Sequence, residues 1–277
     1  MARKSILITG CSSGIGYDAA HGLAKRGWRV FATCRKAADC ARLEGEGLES
    51  FVLDLASEHS VAQAVTETLE RTGGTLDALF NNGAFACPGL AEDLPRGAMR
   101  EIYETNVFGQ FDLINRLLPT FRAQGHGRIV NNSSVLGFVA LRARGAYVST
   151  KFAMEGLTDT YRIENELPDL HFILIEPGPV TSDIRRKAIP QFERWVDWKN
   201  SARAGFYEDV VVPRLYAEKQ APDKFELPAS AVTQKLVHAL ESKRPKARYF
   251  VTTPTYLMNV FRRVLPTRWL DKVLRAS

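Results

Sequence analysis

Thr9-Gly10-Cys11-Ser12-Ser13-Gly14-Ile15-Gly16 stands directly after the apolar run Ile6-Leu7-Ile8. An apolar β-branched run, a glycine-rich turn and then a helical pattern read as the opening of a βαβ unit. Glycines in that turn allow a tight reversal, let the backbone approach a pyrophosphate and let the next helix pack closely. The helix N-terminus behind them favours negative charge. Working outward, short β-branched or aromatic runs recur at residues 5–9, 28–34, 50–55, 76–81, 128–133, 170–176 and 247–251, with helical patterns between them. The runs do not alternate apolar with polar residues, as expected of parallel strands covered on both faces. They predict an α/β fold: a Rossmann-type doubly wound sheet of about seven parallel strands, helices on both faces and right-handed crossovers. No internal repeat or Pro/Gly/Ser-rich linker divides the sequence, so residues 1–277 read as one dinucleotide-binding domain.

The composition, 45% hydrophobic and 25% charged with 20 Gly and 13 Pro, excludes disordered, collagen-like and disulfide-scaffold classes. The net charge of +6 is unevenly placed: residues 1–180 carry −3 and residues 181–277 carry +9. From residue 242 to the end, nine basic side chains face a single acid, Asp271. That is a basic tail, not the footprint of a nucleic-acid-binding domain. Cys11, Cys34, Cys40 and Cys87 form no CxxC pair and share no metal-ligand spacing with the histidines, so no metal site is expected and a reducing, cytoplasmic compartment is. No signal-peptide core follows Arg3 and Lys4, and no stretch reaches the length of a membrane span.

The spacing T-G-x-x-x-G-x-G resembles the short-chain dehydrogenase/reductase family over nearly the whole chain. Within it, Cys-Ser-Ser-Gly-Ile-Gly and the basic Arg-Tyr-Phe-Val ending resemble the branch of 17β-hydroxysteroid and retinol dehydrogenase-like enzymes and bacterial NADPH-dependent aldehyde reductases. The end of the second strand reads Ala32-Thr33-Cys34-Arg35-Lys36. An acid there would accept hydrogen bonds from a ribose 2′-hydroxyl and repel a 2′-phosphate; by resemblance the position that carries the acid in NAD-dependent relatives is Cys34, and Arg35 after it suits phosphate, so NADP(H) is expected over NAD(H). The resemblance implies that Gly10, Ser12, Ser13, Gly14, Ile15 and Gly16 hold the pyrophosphate, with Ser13 also at the 2′-phosphate. It further implies Asp54 and Leu55 at the adenine, Asn82 near the adenine ribose, and Pro177, Gly178, Val180 and Thr181 beside the nicotinamide. Asn81-Asn82-Gly83-Ala84 departs from the family's Asn-Asn-Ala-Gly order, shifting the flexible glycine by one residue.

Tyr147 and Lys151 share a helix face at i,i+4 spacing. A nearby ammonium stabilises a phenolate and is expected to lower a tyrosine pKa that starts near 10. Ser134 lies thirteen residues before Tyr147, the family spacing, and Asn106 in Thr105-Asn106-Val107-Phe108-Gly109 matches the family's asparagine. By resemblance Tyr147 exchanges a proton with the substrate oxygen, Ser134 hydrogen-bonds that oxygen, Lys151 holds the nicotinamide ribose and Asn106 supports a water relay.

Residues 181–229 form a long insertion carrying Phe192, Trp195, Trp198, Phe206, Tyr207 and Phe225. Its position beyond a strand's carboxyl end reads as a substrate lid; the alternative is a helical insertion that buries its own aromatics. The aromatics suggest a lipophilic aldehyde, ketone or alcohol, with aldehyde reduction the first choice, hydroxysteroid or retinol dehydrogenation the alternative, and a non-catalytic NADP(H) sensor the rival class. In the basic amphipathic segment 255–277, Tyr256, Leu257, Val260, Phe261, Val264 and Leu265 make one stripe that breaks at Pro266 before Trp269, Leu270, Val273 and Leu274. Such a segment contacts an anionic membrane surface, the lid or a partner subunit. The resemblance also implies a homodimer through the helices holding Asn106 and Tyr147.

Overall fold

A computed structural model describes residues 3–217 and 222–275, so residues 218–221 of the expected lid and the last two of the basic tail lie outside the described residues. The expected strands form as β1 (Ser5–Ile8), β2 (Arg29–Cys34), β3 (Glu49–Val52), β4 (Ala78–Asn81), β5 (His126–Asn132), β6 (Asp169–Glu176) and β7 (Arg248–Phe250). They make one sheet in the order β3-β2-β1-β4-β5-β6-β7, and every neighbouring pair is parallel. The order reverses between β1 and β4, and in such sheets ligands sit in the crevice beyond the strand ends at that point.

Helices α1 (Gly14–Lys25), α2 (Ala37–Gly45), α3 (Glu58–Thr72), α4 (Arg96–Tyr103), α5 (Gly109–Gln124) and α6 (Gly145–Glu164) alternate with the strands. The lid region supplies α7 (Ile184–Trp195), α8 (Ala204–Phe206) and α9 (Val212–Tyr216); α10 (Ser230–Glu241) returns the chain to the sheet. Ile6, Ile8, Val30, Ala32 and Val130 pack with α1 and α10 on one face, while Leu7, Phe31, Leu79 and Ile129 pack with α3 and α5 on the other. Both faces of the central strands β1, β2, β4 and β5 are therefore covered, which is why their runs read as continuously apolar.

Lid and tail answer two open readings. Phe192 and Tyr207 are buried against Leu90 and Val211, with Trp195, Trp198 and Phe206 packed around them. The insertion thus packs most of its aromatics among themselves; Trp195, half-buried, also packs in the cluster that holds Tyr147, and Phe225 alone of the six is largely exposed. The tail forms α11 (Thr253–Val264) and α12 (Thr267–Arg275), broken at Pro266 as read from the sequence. Its stripe stays open: Tyr256, Leu257, Val260, Val264 and Trp269 are all exposed. Among the described residues, no helix is long and apolar enough to cross a membrane.

Gly109, where α5 begins, approaches the loop after β3 so closely that a Cβ there would lie 1.9 Å from the Leu55 carbonyl oxygen. Backbone cannot yield as a side chain can, so Gly109→Ala is expected to lose about 3 kcal/mol. Gly45→Ala, whose Cβ would meet nothing within 4 Å, is expected to leave the thermal midpoint in place. Equal midpoints for the two variants would refute this packing constraint.

Candidate active site

The glycine turn is built by contact as well as by conformation. Gly10 and Gly14 adopt positive φ, 72° and 60°, the left-handed region that glycine enters without strain. Gly16 does not, but a Cβ on it would lie 2.4 Å from the Gly10 oxygen and 2.6 Å from Asn82 Nδ2. Ser13 caps α1 with no side-chain bond to the backbone, and the first turn holds no acid. The turn therefore leaves the first amides of α1 and the Ser12 and Ser13 hydroxyls turned outward, a donor set that suits a pyrophosphate. A Cβ added to Gly14 would meet only Ser182, at 3.4 Å, so the turn has room above it. These residues fit the phosphates of a dinucleotide.

Arg35 is exposed at the end of β2, and Arg42 from α2 donates to the Ser12 carbonyl at 2.8 Å. Asp54 is half-buried after β3, with Oδ1 accepting from the Ala56 amide at 3.1 Å. Leu55 belongs to the core instead, packed with Val61 and Leu113. Asn82 acts as a fastener: its backbone amide donates to Thr9 Oγ1 at 2.9 Å and its Nδ2 to the carbonyls of Thr9 at 3.0 Å and Gly10 at 3.2 Å. The exchanged order at 83 and 84 has a simple reading. Neither residue takes positive φ, and Gly83 stands against Gly10, whose Cβ would come within 2.6 Å of Gly83 Cα.

Ser134, Tyr147 and Lys151 meet beyond the carboxyl ends of β4 and β5. Ser134 Oγ accepts from the Leu136 amide at 3.1 Å and lies 3.4 Å from the Pro177 carbonyl, so the serine loop and the proline turn are joined. The Tyr147 hydroxyl faces Ser134, which favours the phenolate form. Lys151 is 2% exposed; its Nζ donates to the Asn132 carbonyl at 2.7 Å and sits 5.5 Å from the Tyr147 ring centroid. Asn106 lies in a π-helical turn, Glu104–Phe108, where its amide clasps the Phe85 backbone at 3.0 and 2.9 Å and reaches Thr150 at 3.3 Å. That side chain is committed to holding the loop after β4 beside α6, a placement typical of π-turns near functional sites.

The expected lowering of the Tyr147 pKa is not what the protein alone gives. Desolvation pushes the phenol well above its ordinary range, and Ser134 offsets only part of that. Tyr147 keeps some ring surface exposed, but the protein packed around it outweighs that exposure. The same burial brings Lys151 down to about 8, opposed by the charge of Glu155. Each group is enclosed with the other, and each is biased toward its neutral form. The neutral phenol is the form that can give a proton to a carbonyl oxygen.

Pro177 and Gly178 hold the turn after β6 against the tail: a Cβ on Gly178 would lie 2.1 Å from Thr252 Oγ1. Val180 pairs with Leu227 in an isolated parallel bridge. Thr181 turns its hydroxyl to Glu226 at 2.6 Å, binding the start of the lid to its end, so its expected contact with a nicotinamide is not prepared here. The sequence reading missed several residues. Asn132 donates to Asn82 Oδ1 at 2.9 Å, and only the paired Asn-Asn doublets at 81–82 and 131–132 hinted at that. Glu155 and Glu176 are buried around Arg248, which reaches Glu176 at 2.6 Å and Asp159 at 2.7 Å; Arg248 also pairs with Glu155. A cleft of about 320 Å³ at the amino end of β6, lined by Arg162, Glu166, His171 and Lys246, holds none of the candidate residues. Among the described residues no cluster with metal-binding composition occurs.

The short chain dehydrogenase profile matches residues 4–192. The chain is 37% identical to an uncharacterized oxidoreductase, YbbO, of Escherichia coli over 99% of its own length and 94% of that protein. It is 30% identical to an NADPH-dependent 3-dehydrocapnine reductase of Ornithobacterium rhinotracheale over 96% and 94% of the two chains, and 31% identical to human retinol dehydrogenase 8 over 89% and 81%.

Tyr147→Phe removes the phenol proton beside Ser134, so the variant is expected to fold and bind a dinucleotide but lose at least about a hundredfold in turnover. Because Lys151 gives up its charge as pH rises through about 8, carbonyl reduction that relies on the ammonium is expected to decline above that pH. A rate flat to strongly alkaline pH would refute the second expectation, and near-normal turnover by Tyr147→Phe the first.

Proposed function

The chain belongs to the short-chain dehydrogenase family, and from that premise we propose that it is an NADP(H)-dependent reductase of lipophilic aldehydes or ketones. The observation that carries this reading is the junction of Ser134, Tyr147 and Lys151 beside a phosphate-suited glycine turn on one edge of the sheet. A bound nicotinamide supplies hydride to the substrate carbon. The protein's own groups do the rest. Tyr147 gives its proton to the oxygen, Ser134 donates to that oxygen as charge develops on it, and Lys151 carries positive charge beneath the phenol. Asn106 holds the loop after β4 in place for a water relay behind Lys151. In the oxidative direction the phenol must lose its proton first, which burial opposes.

NADP(H) preference rests on Cys34 standing where an acid would select NAD(H), followed by the exposed Arg35 with a guanidinium suited to phosphate, and an NADPH-dependent relative supports it. The lipophilic class rests on the exposed apolar side chains Ile184, Phe225 and Leu227 near Thr181 and the lid's return, and on the retinol dehydrogenase relative. Rates with NADPH and NADH on decanal, retinal, a steroid ketone and a small sugar test both parts. NADPH is expected to be preferred, with the preference reduced about tenfold or more in Arg35→Ala. Preference for NADH unchanged in that variant, or activity confined to the sugar, would overturn the assignment. Steroid or retinal turnover without decanal turnover would select the dehydrogenase alternative.

The assembly and setting follow from what is left exposed. Phe108, Phe111 and Phe152 remain open on the helices around Asn106 and Tyr147, which supports a homodimer through that face. The four cysteines are free and buried, consistent with a cytoplasmic protein. The open stripe of α11 and α12 lies among Arg262, Arg263, Arg268, Lys272 and Arg275, with Asp271 the lone acid between them. Apolar and cationic together, it fits an anionic lipid surface. Sedimentation is expected to show a dimer that pellets with anionic liposomes, and loss of residues 255–277 is expected to abolish the pelleting. Identical behaviour of the two forms would refute lipid contact.

A further inference from the structure

Three consecutive cations open α7. Arg185 pairs with Asp223 at 2.9 Å and Arg186 with Asp183 at 3.2 Å. Lys187 has no carboxylate partner among the described residues; instead its Nζ reaches out of the lid to the glycine turn, 2.6 Å from Ser13 Oγ and 3.2 Å from Ser12 Oγ. This contact spans 174 residues of sequence. Its geometry is imposed from behind: Ala188 and Phe192, on the inner face of α7, are buried in the lid's own core. Ser182 flanks Gly14, and the Ser13 hydroxyl is free of any capping bond to α1.

We propose that Lys187 is a cofactor-binding residue contributed by the lid: its ammonium takes a phosphate of the dinucleotide lying on Ser12 and Ser13. The inference rests on the NADP(H) reading above. Two neutral hydroxyls occupy two of the three donors of an ammonium and neutralise none of its charge. An anion seated on the same hydroxyls supplies the missing charge. Arg42 also touches the turn, at the Ser12 carbonyl, so Lys187 adds a second cation to it. The lid is thereby fastened over the cofactor by the cofactor's own charge, and the aromatic core of the insertion serves to aim that one side chain.

The test is the dissociation constant of NADPH and of NADH, read by nucleotide fluorescence, for the unmodified protein, Lys187→Met and Lys187→Arg. Lys187→Met is expected to weaken NADPH about tenfold, less at high ionic strength, and Lys187→Arg to restore most of that loss. A parallel weakening of NADH assigns the contact to the pyrophosphate; a spared NADH assigns it to the 2′-phosphate. Unchanged NADPH binding by a folded Lys187→Met refutes the inference while leaving the oxidoreductase reading intact. Failure of the unmodified protein to bind either nucleotide would sink that reading and this inference with it.

Discussion

The carboxyl ends of β1, β4 and β5 are fastened to one another by side-chain amides, and the arrangement of both halves of the site depends on that. Asn132 gives its carbonyl to Lys151 and its amide to Asn82, and Asn82 gives its amide to the carbonyls of Thr9 and Gly10. A continuous path of hydrogen bonds thus runs from the buried ammonium to the glycine turn. One layer deeper, Asn81 donates to Asn131 and Asn131 to Thr158 on α6, at 2.9 and 2.8 Å. Polar groups this deep are expensive unless bonded; the side-chain N–H groups of Asn81, Asn82, Asn131 and Asn132 all donate across strands or to α6, while Asn81 Oδ1 and Asn132 Oδ1 are buried without accepting a bond. The register that sets Asn81 opposite Asn131 is therefore also the register that sets the cofactor turn relative to Tyr147.

A second buried network ties the tail to the same region. Arg248 on the edge strand β7 is shared by Glu155, four residues beyond Lys151, and Glu176, the residue before Pro177. Burial pushes both carboxyl groups up, Glu176 to about 8 with the charge of Glu155 adding to the effect. One guanidinium answers two desolvated acids, so the pair resists full ionisation. Through Arg248 the last strand bears on the helix of Lys151 and on the turn at Pro177, a role that the tail's basic composition did not suggest. It divides the charge surplus into two parts: Arg248 is structural, and the cations of α11 and α12 remain at the surface.

The insertion between β6 and α10 changes meaning once its packing is seen. Aromatic content alone suggested a greasy substrate wall, but Tyr207 is fully buried, donating to Asp93 at 2.7 Å and accepting from the Leu90 amide at 2.8 Å. Trp195 likewise gives its indole N–H to Glu101 at 2.8 Å. These rings make the insertion a body with its own core, seated on the loop after β4 and on α4. A rigid body can hold Lys187 over the glycine turn, whereas a loose loop could not keep one ammonium in place.

By itself the sequence determined the sheet, its seven strands, the glycine turn and the helix carrying Tyr147 and Lys151. Each of these is written in local pattern: continuous apolar runs, left-handed glycine positions, i,i+4 spacing. It also matched Ser134 and Asn106 to positions in a known family, though not what Asn106 holds. Only the tertiary structure decided which polar side chains face one another across the chain. Asn82 with Asn132, Arg248 with Glu155 and Glu176, and Lys187 with Ser12 and Ser13 come from segments 50 to 175 residues apart, and no local period records such a meeting. The structure likewise decided the sign of the Tyr147 shift, because desolvation depends on everything packed around the phenol and not on the lysine four residues away.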